Sequence, residues 1–374
     1  MSALDLETIL NLLKKLEKEE LSQLVIVDAA SLRKIHYPTF TADKNVVILN
    51  IDWITDKNKI GKLLNAIYPS EHSLYILNNN APERQLPEPV RISGLLNREE
   101  DLGNVHFYIP PVAAPTSLEA FQEIVARLRA PQGCPWDQEQ THQSLRPNLM
   151  EETFEVLSAL DENDDNALVE ELGDLLLQIV LHAQIASESK VFNMGDVISG
   201  IHKKIVNRHP HVFGKLKIKD TKGVIKNWEI LKAAEREEKG ELKGQSILDT
   251  VPKTLPALAL AQAYQKRVAR VGFDWQTIEP VLDKVMEEIG EIKNASEKST
   301  LGNELGDLLF AVVNLARWYG VDAESALRKA NVRFFSRFQY IEKRVSEKGK
   351  SLMDFSLKEL DKFWEEAKTI EEKH

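Results

Sequence analysis

Glu171-Leu-Gly-Asp174-Leu-Leu176 returns 133 residues later as Glu304-Leu-Gly-Asp307-Leu-Leu309. A second pair of segments, Glu151-Glu152-Thr-Phe-Glu155 and Glu287-Glu288-Ile-Gly-Glu291, precedes them in the same order, 136 residues apart. Fainter echoes come before those: Cys134-Pro-Trp136-Asp137 and Gly272-Phe-Asp274-Trp275. Ordered recurrence at nearly constant separation marks a duplicated unit. The copies are expected at 118–214 and 255–374, joined by a polar connector over 215–254.

The apolar spacing around these motifs is helical. Helices are predicted at about 118–129, 145–161, 166–188 and 194–208, and again at 256–271, 278–297, 300–319, 322–346 and 356–372. The segment 308–316 is apolar on nearly every side, which predicts a buried helix. Residues 1–112 read differently. Leu4–Leu16 has helical spacing, and Ile60–Ile67 suits a crossover helix. Leu24–Val27, Val46–Ile51, Leu74–Leu77 and Val105–Ile109 are short β-rich runs bounded by Asn, Asp and Pro. Pro110-Pro111 opens a linker ending near Ser117. The expected fold is therefore mainly α: a small α/β domain, then two tandem all-α domains.

Each copy places a Glu pair at i, i+3 on one helix, Glu152/Glu155 and Glu288/Glu291. A second helix carries a Glu/Asp pair with the same spacing, Glu171/Asp174 and Glu304/Asp307. That spacing lines up side chains on one face. Two antiparallel helices then converge four carboxylates on one point. Unaided, such anions repel and at least one is driven to protonate. A hard divalent cation relieves this, because Mg²⁺ and Mn²⁺ take oxygen ligands. Neither carboxylate helix carries a Glu-x-x-His pair, and no Cys/His cluster has zinc spacing. Mg²⁺ is the expected cofactor, with Mn²⁺ as a substitute.

Composition excludes several classes of function. The chain has 374 residues and a formal charge of −10, a poor balance for electrostatic nucleic-acid binding. The most apolar stretch, Leu175–Ala186, is too short for a membrane span and is broken by Gln178, His182 and Gln184. The start lacks a basic segment followed by an apolar core, so no signal peptide is expected. One cysteine, Cys134, precludes an internal disulfide and points to a reducing, cytoplasmic location.

At these motifs the chain resembles the MazG family of nucleoside triphosphate pyrophosphohydrolases. The shared segments are Gly133-Cys-Pro-Trp-Asp137, Leu149-Met-Glu-Glu-Thr-Phe-Glu-Val156, Glu170-Glu-Leu-Gly-Asp-Leu-Leu176 and Arg208-His-Pro-His-Val-Phe-Gly214. The second copy adds Val271-Gly-Phe-Asp-Trp275, Glu288/Glu291 and Glu304-Leu-Gly-Asp-Leu-Leu-Phe310. The resemblance spans 118–374 in family order. It implies the all-α NTP pyrophosphatase fold, a homodimer, and the Mg²⁺-dependent reaction NTP + water → NMP + pyrophosphate. It implies catalytic and metal-binding roles for Glu288, Glu291, Glu304 and Asp307, with metal also at Glu152, Glu155, Glu171 and Asp174. Nucleotide contacts are implied at Lys284, Arg333, Arg337 and Trp364. A narrower dUTP or phosphoribosyl-ATP pyrophosphohydrolase and a non-catalytic helical scaffold are the competing readings. Because Asn148 stands where the second copy has Lys284, the second copy is expected to carry most of the catalysis. Finally, Leu63–Ile76 and His106–Pro111 resemble the C-terminal half of a tetrapyrrole methylase domain. The glycine-rich, cofactor-binding first half of such a domain is absent, which implies a remnant without methyl transfer.

Overall fold

The computed structural model describes residues 23–77, 89–95, 97–98, 100–238, 246–295 and 297–371. The expected helix over Leu4–Leu16 lies outside these. The chain divides into two compact units, one of residues 1–152 and 173–197, the other of 153–172 and 198–374.

The first unit holds the sheet. Strands β1 (Leu24–Asp28), β2 (Asn45–Asp52), β3 (Ser73–Leu77), β4 (Pro89–Arg91) and β5 (Asn104–Ile109) are ordered β1-β2-β5-β3-β4. Only the β1–β2 pair is parallel; the others are antiparallel. Four of the five strands match the expected β-rich runs. The fifth, β4, is a three-residue edge strand that begins at a proline, where a missing N–H costs the ladder nothing. Helix α1 (Trp53–Asn65) follows β2 and starts seven residues before the Ile60 expected from the apolar spacing. Asp52 sets that start, since its side chain accepts from the backbone N–H groups of Ile54 and Thr55. One face of the sheet and α1 enclose a core that includes Val46, Ile48, Ile51, Ile60, Leu64, Leu74, Phe107 and Ile109.

The same unit contains α2 (Leu118–Arg129), capped by Ser117. It also contains the head of α3 (Arg146–Glu162) and most of α4 (Asp165–Glu188). Val125, Leu145, Val180, Leu181, Ala183, Ile185 and Met194 form its second core. Between α2 and α3, Gly133 lies against the end of α2: a Cβ there would sit 2.1 Å from the Leu128 carbonyl oxygen. Only glycine fits that approach, which explains its place before Cys-Pro-Trp-Asp.

The second unit takes in the end of α3, the head of α4, and α5 (Met194–Arg208) from Ile198 onward. It continues with α6 (Thr221–Glu238), α7 (Ala257–Ala269), α8 (Glu279–Asn294), α9 (Lys298–Trp318), α10 (Ala323–Glu347) and α11 (Leu357–Glu371). Helix α6 lies within the stretch expected as a polar connector. Its apolar residues Val224, Ile225, Trp228 and Leu231 have helical spacing, but surrounding lysines and glutamates mask it. Helix α9 is where expected, yet it is not buried all round. Ala311, Val313 and Asn314 are buried, whereas Leu305, Leu309, Phe310 and Val312 are 45–58% exposed. Among the described residues, no helix is long and apolar enough to cross a membrane.

Candidate active site

Helices α8 and α9 are joined by three residues and pack against each other. A connection that short forces the helices antiparallel, so the last turns of α8 meet the first turns of α9. Glu288 and Glu291 face Glu304 and Asp307 at this junction. Carboxylate oxygens of Glu288, Glu304 and Asp307 lie within 4.8 Å of one another. Glu291 joins them through a hydrogen bond with Glu304. That bond, with burial and the charge of Glu288, raises the Glu291 pKa above the ordinary carboxylate value.

Glu288 is the buried member, 3% exposed, while Glu304 is half-buried and Glu291 and Asp307 are exposed. Lys284, one turn earlier on α8, places its Nζ 2.8 Å from Oε1 of Glu288 and 2.8 Å from Oε1 of Glu287. These hydrogen bonds hold the lysine pKa above its usual value. The other Glu288 oxygen, Oε2, is buried and has no hydrogen-bond partner. A buried carboxylate oxygen left unpaired is costly. An all-oxygen donor set with one such oxygen fits a hard divalent cation.

A cavity of about 630 Å³ opens beside Lys284, Glu288 and Asp307. Its walls are largely apolar and aromatic, including Tyr264, Phe273, Trp275 and Phe310. Three polar residues along it were not legible in the sequence. Gln265 donates from Nε2 to the Phe310 carbonyl at 2.8 Å and leaves its buried Oε1 without a partner. Asn314 Oδ1 accepts from Arg317 Nε at 2.8 Å. Arg317 also grips Asp274 through two bonds of 2.6 and 2.9 Å, and the Trp318 indole N–H adds a third at 3.3 Å. The Gly-Phe-Asp-Trp segment is thereby tied to α9, beside the carboxylates.

Arg333 and Arg337 lie on α10 and Trp364 on α11, outside the lining of this cavity. Arg333 is exposed. Arg337 stacks over the Trp364 ring at 5.4 Å and is clamped by Glu371. Trp364 is half-buried and also packs on Phe334 and on the core formed by Ile341, Val345 and Phe363.

In the first repeat, α3 carries Glu152 and Glu155, and α4 carries Glu171 and Asp174. Within the second unit, Glu155 and Glu171 bring carboxylate oxygens within 4.8 Å of each other. Glu152 and Asp174 belong to the first unit. His209 stands at the N-terminal boundary of the short helix Pro210–Phe213 without a side-chain cap, and its Nδ1 lies 2.7 Å from the Ile205 carbonyl at the end of α5. Cys134 is half-buried and unpaired.

The family model for the MazG nucleotide pyrophosphohydrolase domain matches the chain twice, at residues 140–213 and 276–339. A nucleoside triphosphate pyrophosphohydrolase/pyrophosphatase MazG of Thermotoga maritima is 45% identical over 252 residues, covering 66% of this chain and 95% of that protein. The chain belongs to the MazG family. A nucleoside triphosphate pyrophosphohydrolase of Escherichia coli K12 is 44% identical over 254 residues, with the same two coverages. The uncharacterized protein YabN of Bacillus subtilis is 45% identical over 285 residues, 74% of this chain and 58% of its own length. Both MazG matches contain a Glu-Leu-Gly-Asp segment, and the second also contains Lys284, Arg333 and Arg337.

Proposed function

We propose that this MazG-family chain is a Mg²⁺-dependent nucleoside triphosphate pyrophosphohydrolase, with its working centre on α8 and α9. The observation that carries this reading is the buried, unpartnered Oε2 of Glu288, set among Glu304, Asp307 and Glu291. Glu288, Glu291, Glu304 and Asp307 are the residues that would hold the metal, and Mn²⁺ would satisfy the same donors. Mg²⁺ held there would supply charge to neutralise triphosphate oxygens and to acidify a water.

The chain's own groups do the rest. One carboxylate of the set orients the attacking water and takes its proton. Lys284 exchanges a carboxylate for a phosphate oxygen and offsets charge as the bond between the α and β phosphates breaks. Arg333 and Arg337 add cations for the same chain of phosphates, and Trp364 packs against the base or the ribose. The apolar cavity has room for a base, with the amides of Gln265 and Asn314 near it. Selection among bases then rests on those walls.

Assembly follows from what the chain leaves uncovered. Leu305, Leu309, Phe310 and Val312 on α9, and Phe334 and Phe335 on α10, are exposed at 45% or more. That much apolar helix surface marks an interface, and a homodimer covers it with the same patch from a second copy. The unpaired cysteine suits the cytoplasm.

The deciding experiment incubates the protein with a panel of NTPs and dNTPs plus Mg²⁺ and separates the products by ion exchange. NMP and pyrophosphate are expected, while NDP and orthophosphate would refute the assigned bond. Turnover of dUTP or phosphoribosyl-ATP alone would establish the narrower enzyme, and no turnover at all the scaffold. Asp307→Asn is expected to lower turnover by orders of magnitude with the fold intact. A folded variant with near-normal turnover would remove Asp307 from the metal site.

A further inference from the structure

The turn that joins α3 to α4 is tightly built. Asn163 takes the left-handed conformation, with φ 55°, and the Asp164 N–H donates to the Ala159 carbonyl. The Asp164 side chain then accepts from the N–H groups of Asn166 and Ala167 and starts α4. Asp161 stands just before this turn, at the end of α3, where the last turn holds no basic residue. A carboxylate there faces the negative end of the helix dipole, so local structure disfavours it. Its compensation comes from the second repeat, within the same compact unit. Arg328 Nε donates to Asp161 Oδ2 at 2.9 Å, and Lys329 Nζ lies 3.5 Å from Oδ1. The Asp161 side chain is 16% exposed and that of Arg328 21%, so salt and water screen this pair less than a surface one.

The two cations occupy a particular place on α10. That helix is held at its start, where Gln262 of α7 donates to the Val321 carbonyl and accepts from the Ala323 N–H. It is held again toward its end, where Ile341 and Val345 join Phe363 in a core. Between these anchors, residues 331–336 are all exposed. Arg333 stands in that stretch and has no ion pair of its own among the described residues. Arg337 is fixed by Glu371, but Arg333 goes where its helix goes. Lys329, Arg333 and Arg337 follow one another at four-residue spacing, and like charges so spaced repel. Asp161 relieves the repulsion at one end of this row and Glu371 at the other.

We propose that Asp161 of the first repeat is a positioning residue for nucleotide binding by the second: it braces α10 so that Arg333 meets the triphosphate. The proposal rests on reading Arg333 as a phosphate contact. A displacement of about 1 Å is enough to weaken a directed contact severely. Such a contact is made in the ground state and the transition state alike, so its loss lowers affinity and spares the chemical step. The first repeat thereby serves the second through a side chain that belongs to neither carboxylate set.

The test is steady-state kinetics of the full chain with ATP and Mg²⁺, read as pyrophosphate release, beside the melting temperature of each variant. D161N should raise KM about tenfold and leave kcat within about twofold of wild type. D161E keeps the charge on a longer arm and should recover part of the loss. R333Q should raise KM as well, and D161N should add little to R333Q, because the brace then has no guanidinium to place. If the two KM effects multiply in full, Asp161 acts elsewhere and the inference is overturned. It is also overturned if D161N lowers kcat and melting temperature together while KM holds, since that is the mark of a stabilising ion pair alone. Wild-type KM in D161N, with KM raised in R333Q, overturns the brace and leaves the phosphate contact standing. Wild-type KM in R333Q refutes the phosphate contact, and the brace with it. Should D161N fail to fold, R328Q decides, because it keeps Asp161 paired with Lys329. A raised KM that disappears as a separate effect in R333Q sustains the inference, and an unchanged KM overturns it.

Discussion

Asp274 shows how one side chain ties a loop to helix α9, through Arg317 and Trp318. Burial acts to raise its pKa, but the hydrogen bonds and charge of Arg317, with the Trp318 indole, outweigh that and leave it below its ordinary value of 3.8. The folded carboxyl thus ionises more readily than the unfolded one. Its contribution to stability is complete above the ordinary carboxylate range and is lost as pH falls through the lowered value. Asp274→Asn should cost about 2 kcal/mol near neutral pH, the scale of a charge-assisted hydrogen bond, measured by denaturant unfolding. The deficit should vanish in acid, and one that persists there would assign the effect to packing. The aspartate was legible in sequence as part of Gly-Phe-Asp-Trp, but Arg317 was not, because the two are 43 residues apart and meet only in the fold. Gln265 and Asn314 escaped for the same reason. The four carboxylates were readable because each pair repeats on a single helix.

At the scale of elements, the two carboxylate hairpins, α3–α4 and α8–α9, invite a direct comparison. Paired substitutions Glu288→Gln/Glu291→Gln should abolish most turnover across an NTP panel, and Glu152→Gln/Glu155→Gln should remove much less. The reverse ranking would move the catalytic centre to the first repeat. Helix positions were read well from sequence, because amphipathic spacing fixes length and face together. α9 runs over Lys298–Trp318 where 300–319 was expected, and α10 over Ala323–Glu347 where 322–346 was expected. α6 was missed because its apolar stripe is narrow and crowded by lysines, and it carries the Trp228 and Glu235 that pair with Arg208. α1 was placed late because its start is set by the Asp52 cap, not by apolar periodicity.

For the whole molecule, tandem duplication was plain from repeated motifs, but how much of α9 the chain itself covers was not. Apolar residues on every side of α9 read as burial, and sequence pattern does not distinguish burial by the same chain from burial by another. Light scattering at micromolar concentration should give the mass of a dimer or larger, and a monomer mass would mean that the exposed faces of α9 and α10 stay in water. The same measurement on Leu309→Glu, which puts a charge on that face, should shift the mass toward the monomer.

On the proposed metal reading, the solitary oxygen of Glu288 would also make cation supply a determinant of heat tolerance. A ligand that binds only the folded form adds stability with the logarithm of its concentration, about 1.4 kcal/mol per tenfold above its dissociation constant. Melting temperature should climb steadily across a Mg²⁺ titration, and Glu288→Gln should flatten the climb while raising the metal-free melting point. A cell short of magnesium would then lose this enzyme to unfolding as well as to inactivity.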